Sequence, residues 1–195
     1  MESNDQVFKL FPTYFYTSEN VLNLSYLKHL QDKVYKIKDE YSRGGRNWKA
    51  DIYNTLGTYD LRQDADFKIL LDAIEERVFN FVKMHNSTHR YKIKESWFNI
   101  YNKGDYQEYH HHADCTFSAV FFLKSKIDSA KIHFESPLEP DMLPVKDIQD
   151  DTELTFKTCR FPPVENSLII FRSYLKHMVE KETTDNERIT IAVNL

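Results

Sequence analysis

The chain has few of the residues on which several large classes of protein depend. Its 195 residues include only 4 glycines and 2 cysteines. So few glycines argue against a Gly-rich nucleotide-binding fold. Cys115 and Cys159 are too few for a disulfide framework, so we expect a reducing, cytoplasmic compartment. No apolar run approaches the roughly 18 residues of a membrane-spanning helix, and the acidic N-terminus leads into no apolar segment typical of a signal peptide.

The charge balance also argues against nucleic acid as the main partner. The net charge is -4, from 26 basic and 30 acidic residues, and no run of Lys and Arg is long enough for a nucleic-acid footprint. Apolar residues make up 41% and aromatic residues 14% of the chain, which suits a packed β-rich domain. We predict one domain over 1–195, with N-terminal strands and supporting helices in 1–94 and a β core in 95–195. The oligomeric state is not indicated.

Two amphipathic helices are predicted in the first half of the chain. The first is ended by Gly44-Gly45, and the second is capped by Asp64 or Asp66. We expect one or two short strands within 6–16 and a long loop over 43–59 with a strand near Trp48. The apolar faces are formed in the first helix by Leu27, Leu30, Val34, Ile37 and Tyr41, and in the second by Phe67, Leu70, Leu71, Ile74, Val78, Phe81 and Val82.

From Tyr91 onward the hydrophobic period changes to two, which indicates strands. Short strands at regular spacing predict an antiparallel sandwich or barrel, backed by the two helices. An acidic, proline-containing loop over 137–151 interrupts them and is typical of the rim of a binding site. The predicted strands are Glu95–Tyr101, Tyr106–His112, Thr116–Lys124, Lys131–Phe134, Leu154–Lys157, Ser167–Phe171, Met178–Lys181 and Ile189–Asn194.

A cluster of histidines follows the first of these strands. Three of the eight histidines are consecutive, at positions 110–112, and Asp114 follows. In a strand, residues i and i+2 point the same way. His110 and His112 can therefore present two imidazoles to one point, or His112 and Asp114 an imidazole and a carboxylate, whereas His111 faces the other side. Such pairs are typical ligands of divalent metals.

The order of motifs in the second half of the chain resembles the Fe(II)- and 2-oxoglutarate-dependent dioxygenases, in particular their prolyl-hydroxylase-like branch. The resemblance covers about 97–195. It rests on Tyr101-x-x-Gly104, on His110-x-His112 six residues after the glycine, on a strand ending Phe121-Phe122-Leu123, on a distal His177, and on Arg188-x-Thr190. It implies a double-stranded β-helix, a cupin-like jelly roll, which binds Fe(II) and 2-oxoglutarate and hydroxylates a substrate.

The resemblance also implies roles for individual residues. His110 and His177 match the first and the distal metal ligands. Arg188 matches the residue that binds the far carboxylate of 2-oxoglutarate, with Thr190 and Tyr101 beside it. Where the family has an acidic ligand this chain has His112, so two ligand sets are open: His110, His112 and His177, or His112, Asp114 and His177. The spacing from Gly104 favours the first set, and the family's usual chemistry favours the second.

Two other functions remain open from the sequence. One is a cupin-like module that binds a metal or small molecule without turnover, although such a module has no need for Arg188-x-Thr190. The other is a metallo-β-lactamase-like hydrolase, which would need more glycine and further ligands. For the oxygenase, the expected substrate is a small molecule or a peptide, including one that contains proline. Its apolar lining is expected from Phe117, Phe121, Phe122 and Phe134, unless these form the core.

Overall fold

The fold is known from a computed structural model, which describes residues 6, 11–45, 49–138, 145–150, 152–155 and 157–195. Parts of four predicted features lie outside these residues. They are most of the N-terminal half of the strand region 6–16, the predicted strand near Trp48, the middle of the loop 137–151, and residue 156 of the strand predicted at Leu154–Lys157.

The first helix, α1, spans Leu24–Glu40. Asn23 begins it, since its side-chain oxygen accepts a hydrogen bond from the backbone N–H of Tyr26 at 2.9 Å. The four predicted positions from Leu27 to Ile37 are buried. The prediction was wrong at the C-terminal end, because Tyr41 already has extended dihedral angles and is 40% exposed. The helix therefore ends before Gly44-Gly45.

The second helix, α2, spans Lys68–Met84 and follows two 3-10 turns at Leu61–Gln63 and Ala65–Phe67. The whole predicted apolar stripe, from Phe67 to Val82, is buried. Asp64 does act as a cap, but for the second 3-10 turn, where it accepts from the backbone N–H of Asp66. The residue before α2 is Phe67, which makes no side-chain cap. In the described part of the chain, no helix is both long and apolar enough to cross a membrane.

Within the described residues, ten strands form two antiparallel sheets. The major sheet has the order β1-β8-β5-β10-β3-β2, and the minor sheet has the order β4-β9-β6-β7. Together they make the predicted jelly roll with two supporting helices. The strands are β1 Phe15–Ser18, β2 Tyr53–Asn54, β3 Glu95–Tyr101, β4 Gln107–His110, β5 Phe117–Lys124, β6 Ile132–Glu135, β7 Thr158–Phe161, β8 Leu168–Arg172, β9 His177–Val179 and β10 Arg188–Asn194.

Most predicted strands are confirmed within a few residues, and β3 has the predicted bounds. The strand predicted at Leu154–Lys157 was wrong, because residues 153–155 form a turn and β7 begins only at Thr158. The predicted strand over 106–112 ends early, at His110. In the described part of the N-terminal region, a strand forms only at Phe15–Ser18, where it pairs with β8.

The major sheet separates a helix-facing core from the interior of the jelly roll. Alternate residues of its central strands, such as Ile189 and Ile191 of β10, pack against α1 and α2 in one large cluster. The intervening residues, such as Thr190 and Ala192, face the minor sheet and line a pocket. The pleat of β10 therefore places its polar side chains in the space between the two sheets.

Gly44 lies in close contact with the segment that leads out of β2. Its backbone N–H donates to the carbonyl of Asn54 at 2.8 Å, and a Cβ atom at this position would lie 2.1 Å from the carbonyl oxygen of Leu56. Gly44→Ala is therefore expected to lower the free energy of unfolding by about 1–3 kcal/mol, because the backbone must move apart. Thermal or denaturant unfolding measures the change.

Gly57 provides the comparison for this substitution. It has a φ of +78°, and a Cβ atom there would meet no other atom within 4 Å. Asparagine tolerates such a backbone conformation. Gly57→Asn should therefore cost less than Gly44→Ala, and equal losses at both positions would contradict the steric explanation.

Candidate metal centre

Three imidazoles converge between the two sheets. His110 is the last residue of β4, His177 is the first residue of β9, and the two are direct partners in the antiparallel ladder. His112 lies two residues beyond the end of β4, and its backbone N–H donates to the carbonyl of Ser173 at 3.0 Å. One nitrogen from each ring lies within 4.8 Å of the other two. Three such donors suit a borderline divalent metal ion.

Backbone contacts orient two of the rings. His110 Nδ1 lies 2.8 Å from the carbonyl oxygen of Glu108, and His177 Nδ1 lies 2.8 Å from that of Leu175. A carbonyl only accepts, so each Nδ1 carries the proton and donates it. Nε2 of each ring then has a lone pair for a metal, as in metal sites whose ligands are held by a backbone carbonyl. His112 is held differently, since its Nδ1 lies 3.3 Å from Nδ2 of Asn194.

Burial keeps the three imidazoles neutral. It lowers the pKa of His110, with a smaller opposing effect from the hydrogen bond to Glu108. Burial, together with the neighbouring histidines, lowers the pKa of His112 to about 4 and takes that of His177 well below its usual value. At pH 7 all three rings are therefore uncharged, which metal coordination requires.

The other two polar residues of the segment are not part of this cluster. Asp114 is exposed, and its carboxylate is not among the gathered donors. Its backbone carbonyl accepts a hydrogen bond from Lys94 at 3.1 Å. His111 is exposed, as the alternation predicted. The structure thus brings together the first of the two predicted ligand sets and leaves Asp114 outside.

A buried guanidinium lies in the same pocket as the imidazoles. Arg188, the first residue of β10, is 1% exposed, and among the described residues its Nε and Nη1 have no hydrogen-bond partner. Its Cζ lies 4.7 Å from the ring centroid of Tyr101 and 5.5 Å from that of Phe122. Burial lowers its pKa from the usual value, but arginine remains charged at neutral pH. A buried guanidinium with two nitrogens free to donate suits an anionic ligand.

Two further predicted residues lie beside this guanidinium. Tyr101 is buried directly across the ladder from Arg188, and burial raises the pKa of its phenol to about 12, so it stays protonated. Thr190 is also buried, and its hydroxyl oxygen accepts from Nδ2 of Asn99 at 3.4 Å. The pocket encloses about 580 Å³ between protein atoms, including its open mouth, and is lined by residues of both sheets.

None of the four phenylalanines considered for the apolar lining lines the pocket, and all four lie in core clusters, which is the alternative that the sequence left open. Phe117 and Phe121 face the helices and belong to the large core. Phe122 and Phe134 belong to a smaller cluster between the sheets, where Phe134 contacts the ring of His177 at a centroid distance of 5.6 Å. The apolar walls of the pocket itself come from Val120, Ile132, Phe171, Val179 and Ala192. Residue type alone did not distinguish the two faces of β5.

Several polar residues of the pocket were not predicted from the sequence. Asn194 and Ser118 lie near His112, and Asn99 and Gln107 also line the pocket. A signal for Asn194 was present in the sequence, because Arg188, Thr190 and Asn194 occupy alternate positions of a strand whose other face is apolar. The pleat places all three on one side.

The second half of the chain matches a known protein family. The model of a family described as "Putative 2OG-Fe(II) oxygenase" matches residues 95–194. The chain belongs to this family. The oxygenase is thus an oxidoreductase that depends on Fe(II) and 2-oxoglutarate, as the resemblance of its motifs predicted. The description of this family names an oxygenase. It names neither of the two rival functions, the hydrolase and the binding module without turnover.

Solved structures share the fold of this oxygenase. A prolyl-4-hydroxylase from Pseudomonas putida superposes with a TM-score of 0.63 at 15% identity, covering 93% of this chain and 92% of that one. The viral collagen prolyl hydroxylase of Paramecium bursaria Chlorella virus-1 gives 0.59 at 13%, with 93% and 94% coverage. HygX from Streptomyces hygroscopicus, with nickel, 2-oxoglutarate and hygromycin B bound, gives 0.61 at 9%, with 93% and 82% coverage. No curated protein matches the sequence.

Proposed function

We propose that His110, His112 and His177 hold the iron of this oxygenase, and that Arg188 binds the far carboxylate of 2-oxoglutarate with help from Tyr101 and Thr190. The enzyme would then hydroxylate an unactivated C–H bond of its substrate. The observation that carries the proposal is the shared pocket. Three convergent, neutral imidazoles line the same space as a buried guanidinium, two of whose nitrogens have no partner among the described residues.

The residues of the chain each have a distinct task in this proposal. The planar guanidinium of Arg188 can donate two parallel hydrogen bonds to a carboxylate, which sets the direction in which the co-substrate lies. The protonated phenol of Tyr101 and the hydroxyl of Thr190 are further donors beside it. Ile132, Phe171 and Val179 give the pocket apolar walls, which would limit the access of water.

The proposed ligand set consists of three imidazoles, with no carboxylate among the donors that the described residues bring together. The bound iron and 2-oxoglutarate would supply the oxidation chemistry, in which decarboxylation of the co-substrate is coupled to hydroxylation. Three neutral imidazoles cancel none of the charge of the metal, whereas two imidazoles and a carboxylate cancel one unit. Three histidine ligands would therefore leave more positive charge at the metal, which would favour binding of the anionic 2-oxo acid.

We propose a peptidyl or small-molecule substrate, with a proline-containing peptide as the first candidate. Support for a peptide comes from the two prolyl hydroxylases, which share nearly their whole length with this fold. Support for a small molecule comes from HygX, which binds hygromycin B. Trp97 lines the pocket beside His112, with ring centroids 6.1 Å apart, and gives an apolar surface for either substrate.

The test is anaerobic addition of Fe(II) and 2-oxoglutarate to the protein. We expect a visible metal-to-ligand charge-transfer band that needs both components. Admission of oxygen should then convert 2-oxoglutarate to succinate, faster in the presence of an accepted substrate, with proline-rich peptides and free amino acids compared as candidates. A protein that gives no band and does not bind 2-oxoglutarate would disprove the proposed site. A band without any succinate would show that the accepted substrate is not among these candidates.

A further inference from the structure

Asn194 connects the third imidazole to the surface of the protein. It is the last residue of β10 and is 3% exposed. Its Nδ2 lies 3.1 Å from a carboxylate oxygen of Glu95, its partner across the ladder with β3, and 3.3 Å from Nδ1 of His112. Its Oδ1 accepts from the hydroxyl of Ser118 at 2.9 Å, and Ser118 lies 2.8 Å from the hydroxyl of Ser173.

The direction of these hydrogen bonds determines which nitrogen of His112 carries its proton. An amide nitrogen only donates, so in this arrangement Asn194 donates one hydrogen to Glu95 and the other to His112 Nδ1. A neutral imidazole whose Nδ1 accepts must carry its proton on Nε2. Because Nδ1 is occupied by Asn194, Nε2 is the nitrogen left for a metal, and a protonated Nε2 cannot coordinate.

Turning the amide of Asn194 over reverses this arrangement. Its oxygen then accepts from a protonated His112 Nδ1, which frees the lone pair of Nε2, and its nitrogen donates to the hydroxyl of Ser118. Ser118 and Ser173 tolerate both directions, since a hydroxyl can donate or accept. The bond that is lost is the one to Glu95, whose carboxylate would face an amide oxygen. Glu95 is exposed and can turn to water.

We propose that Asn194 is a positioning residue that decides whether His112 coordinates the metal, and that Glu95 opposes coordination by holding the amide in the other orientation. This inference rests on the proposed function, because it takes His112 as a ligand. It assigns opposite roles to two polar neighbours: the buried amide supports the ligand, and the exposed carboxylate competes with it. Simple Coulomb attraction predicts the reverse for Glu95, since a carboxylate near a cation should strengthen binding.

The test measures anaerobic Co(II) binding, with the visible spectrum of the bound ion as a report on its ligands. Asn194→Ala should weaken binding by about 10- to 100-fold, which is usual for loss of a residue that orients a ligand. Asn194→Asp should bind at least as tightly as the parent, because a carboxylate accepts from His112 Nδ1 as the turned amide does. Glu95→Gln should bind more tightly than the parent, because a glutamine amide can donate to the turned Asn194 oxygen.

A matched control removes a carboxylate elsewhere. Glu76 on α2 is exposed and pairs with Arg90, and Glu76→Gln should leave Co(II) binding unchanged. Circular dichroism checks that each variant is folded, and the Glu95→Gln and Asn194→Asp results decide the question even if Asn194→Ala does not fold. The inference is overturned if Asn194→Asp binds more weakly than the parent, or if Glu95→Gln binds no more tightly than the Glu76→Gln control.

The result for His112 separates this inference from the proposed function. If the parent protein does not bind Co(II), or if His112→Ala binds it as tightly as the parent, the proposed ligand set is wrong. If His112→Ala loses binding while the Asn194 and Glu95 variants bind like the parent, the ligand set stands and only the role of Asn194 is overturned.

Discussion

Replacement of Arg188 by alanine is expected to raise the dissociation constant of 2-oxoglutarate by about 100-fold or more. The guanidinium is almost fully buried, and two of its nitrogens have no partner in the described structure. Removing one member of a buried ion pair costs about 3–5 kcal/mol, and each 1.4 kcal/mol is a tenfold change in affinity. Arg188→Lys should recover only part of the loss, because an ammonium group cannot bind a carboxylate in a bidentate manner.

The measurement is anaerobic titration of the iron-loaded protein with 2-oxoglutarate, followed by its visible band. Iron binding itself should be nearly unchanged in Arg188→Ala, since Arg188 is not among the gathered metal donors. Affinity for 2-oxoglutarate within a few-fold of the parent would show that the co-substrate is anchored elsewhere.

The stability of an Arg188 variant shows whether a loss of 2-oxoglutarate binding is caused by a loss of folding. Without an anion, a buried guanidinium with unpartnered nitrogens costs free energy, which a residue such as methionine avoids. In the absence of 2-oxoglutarate, Arg188→Met should therefore unfold at a temperature no lower than the parent. Loss of co-substrate binding in a variant of undiminished stability would identify Arg188 as a functional residue.

Replacement of any one of His110, His112 and His177 by alanine is expected to abolish tight Fe(II) binding, whereas Asp114→Ala should leave it unchanged. Each imidazole supplies one of three donors within 4.8 Å of one another, and Asp114 is exposed and outside the group. Loss of a ligand should exceed the roughly 10- to 100-fold effect of losing an orienting neighbour. Anaerobic titration with Fe(II) measures the affinities.

His111→Ala is the matched control for these variants. It removes an imidazole from the same three-residue run, but one that is exposed to solvent. It should bind Fe(II) like the parent. If Asp114→Ala loses iron while His110→Ala retains it, the ligand set is instead the one that contains the carboxylate.

The hydrophobic pattern was sufficient to predict most of the secondary structure. The strand Glu95–Tyr101 and the buried stripe of α2 follow from periods of two and of 3.6, because each period places apolar residues on one face. The strand predicted at Leu154–Lys157 failed since the pattern there is short and irregular. The neighbouring β7 alternates only between exposed and half-buried residues, a weak signal for any sequence method.

The two predicted ligand sets differ in whether they contain His110 or Asp114. Which of the two the fold brings together depends on contacts between residues that are far apart in the chain. The rule that residues i and i+2 share a face holds only while a strand continues, and β4 ends at His110. Beyond it, the backbone of His112 is held by Ser173, which is distant in sequence, and its ring lies against Asn194 of β10. No local pattern contains these partners.

The sequence by itself determined the family, the jelly roll, and the histidines and arginine proposed for the site, because motif order and hydrophobic period are properties of the chain. Tertiary structure decided which histidines meet, which face of β5 lines the pocket, and that the guanidinium of Arg188 lies buried with two nitrogens unpartnered among the described residues. These depend on how β4 and β9 of one sheet lie against β10 of the other. Such distances are set only when the two sheets pack together.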